Sequence, residues 1–162
     1  MAELLLDGFV VGIGATLIMD SVALILKQAL GVQPLDYALV GRWAAYLTRG
    51  RFVHRPITSS PAVRGEKVIG WGIHYLTGVV FALAFLSWAG AGWLAAPDPG
   101  AALDFGALTV LAPFLILQPG MGAGLAARRM PWPGLARLRS LLAHLSFGAG
   151  IWLTALCWSA LG

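Results

Sequence analysis

"LAPFLILQPGMGAGLAARR", residues 111–129, is apolar for most of its length, carries an amide, a proline and three glycines in mid-run, and stops at a pair of arginines. Pro119 has no N–H to offer the carbonyl of Leu115 and biases Gln118 away from helical geometry, so a kink or break is expected at Gln118-Pro119-Gly120. Carbonyls freed by a break inside a membrane must find water, a side chain or a cation. Gly120, Gly122 and Gly124 make a tight approach or a short non-helical stretch easy. Two readings follow: a discontinuous helix lining a ligand or ion site, or a proline kink packed against small residues.

That the run lies in a membrane follows from the whole chain. Of 162 residues 59% are hydrophobic and 11% charged, and the mean hydropathy is +0.80. An average soluble domain is roughly 45–50% apolar and 25% charged. Four segments approach or exceed the roughly 20 apolar residues a hydrocarbon layer requires: 5–28, 69–94, 103–126 and 139–161. The expected fold is therefore all-α, a single polytopic membrane domain over 1–162 with four transmembrane helices and a connection over 29–68.

Charge orients it. All 11 Lys and Arg lie at or beyond the same ends of these spans: Lys27, Arg42, Arg49, Arg51, Arg55, Arg64 and Lys67 in the first connection, and Arg128, Arg129, Arg137 and Arg139 in the last. The opposite side has only Glu3, Asp7, Asp98 and Asp104. Because short basic loops stay cytoplasmic, both termini are expected on the periplasmic or exterior side of a bacterial inner membrane. The pI of about 9.8 is read as a topology signal, not as nucleic-acid binding. "MAELLLDGFVVGIGATLIMD" has no basic leader and no small-residue cleavage site, so it reads as a retained first helix. The lone Cys157 excludes an intrachain disulfide and reads as an apolar filler.

In the first connection, "PLDYALVGRWAAYLTRG" sets Leu39, Val40, Trp43, Tyr46 and Leu47 at helical spacing with Asp36 as N-cap. This predicts an amphipathic helix lying in the headgroup region, where its arginines meet lipid phosphate. "RGRFVHRPITSSPAVRGEK" should be irregular. Its Arg49, Arg51 and Arg55 suit lipid headgroups, with a cytosolic anion or nucleotide as the alternative. Among these cations His54 reads as a surface residue.

The polar residues inside the spans are Asp20, His74, Gln118 and His144. Ionisable groups at membrane depth cost roughly 2.5–3.5 kcal/mol each on insertion scales, so they face the interior and pair. Small residues recur at four-residue steps beside them: Gly8, Gly12, Thr16, Asp20; Gly70, His74, Gly78, Ala82; Gln118, Gly122, Ala126; Ser140, His144, Gly148. Such stripes let helices approach closely in lipid. At about 1.5 Å per residue, all four polar groups lie roughly 8–15 Å inside the basic boundary. "LIMD" (17–20) against "LILQ" (115–118), and "HYLTGVVFAL" (from 74) against "HLSFGAGIWL" (from 144), suggest a parallel two-helix repeat.

The segments "GATLIMD", "YALVGRWAAYLTRGRFVHRPI", "GEKVIGWGIHYLTG", "LAPFLILQPGMGAGLAARRMPWP" and "ARLRSLLAHLSFGAGIWL" together resemble a family of small four-helix bacterial inner-membrane proteins catalogued only as a domain of unknown function. The resemblance implies fold and location, and no reaction, cofactor or partner.

Three functions suit these residues. The first is binding or transport of a metal ion, proton or small polar ligand by Asp20, His74, Gln118 and His144. Two imidazoles and a carboxylate (His74, His144, Asp20) are a reasonable first shell for a divalent metal, and Met19 and Met121 could offer thioethers to Cu(I). The second is an accessory subunit of a larger membrane complex, or a homo-oligomer, packed through small-residue faces and tryptophans. The third is an intramembrane enzyme acting on a lipid or small molecule, with His74 or His144 as base. No serine or cysteine is clearly paired with either base in the sequence; Ser140 is one turn from His144.

Overall fold

The computed structural model describes residues 2–160. Every regular element among them is helical: α1 (Ala2–Leu30), α2 (Tyr37–Leu47), α3 (Glu66–Ala89), α4 (Pro99–Thr109), α5 (Gln118–Met121) and α6 (Pro133–Ser159), with short 3-10 turns and one π turn between them. Four stretches are long and apolar enough to cross a membrane: α1, α3, the run Pro99–Met121 that contains α4 and α5, and α6. At most 28% of the apolar stretch of any of these is buried against the chain itself. Along α1, Leu5, Phe9, Leu17, Leu24 and Ile25 are all more than half exposed. Apolar surface on that scale belongs against lipid, since a monomer in water would aggregate through it.

The ends differ from the sequence reading for local reasons. α3 stops at Ala89, short of residue 94, because Gly90 takes φ 85 and Ala91–Ala95 closes into a 3-10 turn. α6 starts at Pro133, ahead of residue 139; proline's fixed φ and missing N–H suit the first helical position.

The chain divides into two compact units. The first comprises Met1–Pro34, Tyr75–Thr109 and Leu142–Gly162. Its helices meet where side chains are smallest. A Cβ on Gly12 would press on the backbone of Val79, one on Gly78 on the Thr16 hydroxyl, and one on Gly150 on the backbone of Ala15. A Cβ on Gly106 would lie 2.7 Å from the Gly148 Cα. Gly12, Gly78 and Gly148 belong to the stripes read from the sequence and lie at contact faces; Gly106 and Gly150 do the same without belonging to a stripe. Around them Val11, Ala82, Phe85, Phe147 and Ile151 form the core, with Phe85 edge-on to Trp93 at 4.6 Å. Buried Thr16 returns its hydroxyl proton to its own helix, at Gly12 O (2.7 Å). In both segments matched in the internal repeat the glycine meets the span before it: Gly78 meets Thr16 of α1, and its counterpart Gly148 meets Ala102 and Gly106 of α4.

The second unit comprises Leu35–His74 and Val110–Leu141. Asp36 caps α2 as expected, accepting from the Ala38 N–H at 2.9 Å. α2 crosses α3 at two glycines: a Cβ on Gly41 would fall on the Glu66 carbonyl and one on Gly70 on the Tyr37 carbonyl. Only glycine permits this approach. The crossing is locked by a fork: Arg42 donates from Nε to Glu66 Oε2 (2.8 Å) and from Nη2 to Oε1 (2.7 Å), while Nη1 reaches Ser60 O (3.0 Å). The expectation that Arg42 meets lipid phosphate is therefore corrected, because a carboxylate of the same chain occupies its fork.

The expected break at Pro119 is also corrected. Gln118 has φ −62 and ψ −45, which is helical, and the helix runs on through Pro119. Strain is taken up one turn earlier, in a π turn over Pro113–Leu117 where the Gln118 N–H reaches the Pro113 carbonyl. The wider turn gives the Pro119 ring room beside the preceding carbonyls. The helix ends at Gly122, at φ 97. Beyond it Gly124, Ala126 and Ala127 also have positive φ. The glycines of the opening stretch serve close approach: a Cβ on Gly120 would strike the Trp43 indole, and one on Gly122 would press on the His54 carbonyl.

Candidate functional site

In the first unit, α1 presents Asp20 and α3 presents Tyr75, whose hydroxyl donates to Asp20 Oδ2 at 3.1 Å. In the same unit, α4 presents Thr109 and α6 presents His144. The Thr109 hydroxyl donates its one proton to Gly106 O (2.6 Å) and also lies 2.8 Å from His144 Nδ1. With that proton committed, Nδ1 must be the donor, and in the neutral ring the lone pair sits on Nε2. A lone pair so oriented is what a base or a ligand to a cation requires. Asp20 and His144 are half-buried, and each is tied to a neighbouring helix. Met19 packs against this unit's core.

In the second unit, His74 on α3 stacks on Tyr37 (centroids 4.1 Å apart, 26° between planes) and stands edge-on to Trp71 at 5.7 Å. α2 is thus one wall of its environment. Gln118 donates from Nε2 to Ser140 Oγ at 3.1 Å. Its Oε1 is buried and has no hydrogen-bond partner among the described residues. The serine one turn from His144 is accordingly engaged by the third span. Among the described residues no group of three or more His, Cys, Asp and Glu is placed to hold a metal ion, so the reading of Asp20, His74 and His144 as a divalent-metal shell has no three-ligand cluster behind it.

His54 is the residue the sequence reading misplaced. It is 1% exposed rather than at the surface. Its N–H donates to Gly120 O (2.9 Å), its Nδ1 meets Ser60 Oγ at 2.7 Å, and its ring stands edge-on to Tyr46 at 5.1 Å. Burial, and then the nearby Arg51, hold the imidazole below the usual histidine range. Ser60 is 5% exposed, so this serine–imidazole contact is shut off from substrate and acts as scaffold. It ties the first connection to the end of α5, helped by the Trp43 indole donating to Phe52 O at 2.9 Å. One signal for this contact lies in the sequence: "SS" followed by proline, with Ser60 six residues after His54, places hydroxyls within reach of a folded-back loop.

Four apolar spans carrying carboxylate, imidazole and amide side chains, joined by basic connections, define an all-helical polytopic membrane protein. The chain belongs to the family described as Protein of unknown function (DUF2938), which matches residues 9–158. Neither a curated protein nor a solved structure matches it.

Proposed function

We propose that this membrane protein binds a small polar ligand or ion, or passes protons, through the polar side chains of its spans, with Gln118 in contact with what is bound. The observation that carries the proposal is the Gln118 amide: one end is fixed by Ser140, and the other is a buried acceptor without a partner. An unsatisfied buried acceptor costs about 1–3 kcal/mol, and it stands directly after a π turn, a distortion that recurs at functional sites. Support comes also from the first unit, where His144 is held in one tautomer by Thr109 and Asp20 accepts from Tyr75.

The test is purification in mild detergent, followed by native mass spectrometry and elemental analysis. The wild-type protein is expected to carry a stoichiometric small ligand or ion. Gln118→Leu and His144→Ala should lose it and remain helical. If the wild type carries nothing and Gln118→Leu is simply more stable, the amide is a packing defect and the proposal fails.

A further inference from the structure

We propose that the turn Arg49–Arg55 is a docking site for the headgroup of an anionic phospholipid. Arg49 and Arg51 are both exposed, yet they are not free to wander. The N–H groups of both residues bond to the Tyr46 carbonyl, each at 3.0 Å, Gly50 turns the chain between them at φ 71, and their guanidinium carbons stand 5.3 and 5.4 Å from the centroid of the same Tyr46 ring. That ring is itself fixed, 8% exposed, with its hydroxyl on Pro61 O (3.2 Å) and its face against His54.

Two like charges are thereby held on one anchor. Among the described residues no carboxylate lies within salt-bridge distance of either; of the two acidic residues in this unit, Glu66 is taken by Arg42 and Asp36 caps α2. Paired guanidinium forks without a protein carboxylate match a phosphate, which accepts two parallel N–H bonds from each. A lipid is favoured over free phosphate by what separates the arginines. Phe52 is 64% and Val53 54% exposed, and Arg55 follows directly after buried His54. Cations alternating with outward apolar side chains fit a headgroup above and acyl chains below. A soluble anion would have no use for Phe52 and Val53.

The test uses purified, delipidated protein titrated with phosphatidylglycerol or phosphatidylcholine in mixed micelles and read by native mass spectrometry. The wild type is expected to retain the anionic lipid at least about fivefold better, and R49A/R51A to lose most of that preference, since Arg forks rather than diffuse charge carry it. R128A/R129A, which removes equal charge elsewhere in the unit, should keep it. F52S/V53S should weaken retention of both lipids. R49K/R51K, which preserves charge and folding, should still lose at least about twofold, because lysine lacks the planar fork. Equal losses in the two double-alanine variants, full retention in R49K/R51K, or displacement of the lipid by millimolar inorganic phosphate would each overturn the proposal.

Discussion

The two units hold themselves together by different means, and the difference follows from their surroundings. In the first, regular helices satisfy their own backbone, so cohesion comes from close approach at Gly12, Gly78, Gly106 and Gly150, where dispersion contacts replace a hydrophobic effect that lipid cannot supply. The second contains the irregular connection 48–65 and the end of α5, whose carbonyls must be met individually. Arg42 meets Ser60 O, Trp43 meets Phe52 O, His54 meets Gly120 O and Arg137 meets Ala126 O. The second unit also holds every basic residue except Lys27, and of the acidic ones only Asp36 and Glu66. A packed apolar unit and a hydrogen-bonded basic one are what lipid and its polar boundary respectively demand.

Substitutions can break this contrast. The largest effect is expected at the α2–α3 crossing. Gly41→Val or Gly70→Val would drive a side chain into a backbone carbonyl, costing about 3 kcal/mol or more, read by thermal unfolding in detergent; an unchanged midpoint would show that the crossing is not as close as described. Next, Glu66→Ala leaves the Arg42 fork unpaired at a site about 15% exposed and should cost about 2–3 kcal/mol. In the first unit, Gly106→Ala should cost about 1–3 kcal/mol, whereas Gly72→Ala, on the part of α3 that belongs to the second unit and with a Cβ that would meet nothing within 4 Å, should be neutral or gain up to about 1 kcal/mol from helix propensity. If both glycines respond alike, close packing is not what holds the first unit.

The smallest effect is one of pH. His54 binds a proton less readily when folded than unfolded. Its contribution to stability is therefore present above the unfolded value, near 6.5, and is lost as pH falls below it. Wild-type stability should decline on acidification from about pH 7 to 5, and His54→Gln should flatten that slope. A slope that persists in the variant would assign it to another group.

Much of the first unit was legible in the sequence because its determinants are local and periodic. Span length follows from the apolar runs, and the stripes through Gly12, Gly78 and Gly148 recur at helical spacing. So was the Asp36 cap, which acts two residues away. What could not be read was pairing between distant positions: Tyr75 with Asp20, Thr109 with His144, Arg42 with Glu66. Each joins residue types common in helices at separations that no local rule encodes. The burial of His54 escaped for the same reason, since its cationic neighbours in sequence are exposed while its neighbours in space, Tyr46 and Ser60, are not. The helix continues through Pro119 because the π turn at Pro113–Leu117, a non-local feature of the run, relieves the clash the proline alone would impose.

The central proposal is that the four spans cross a membrane with the basic connections on its cytoplasmic side, and a reporter active only in the periplasm tests it most directly. Fused after Gly162 or inserted near Asp98 it should be active, and near Pro61 it should be silent. Activity at Pro61 with silence at Gly162 would contradict the orientation.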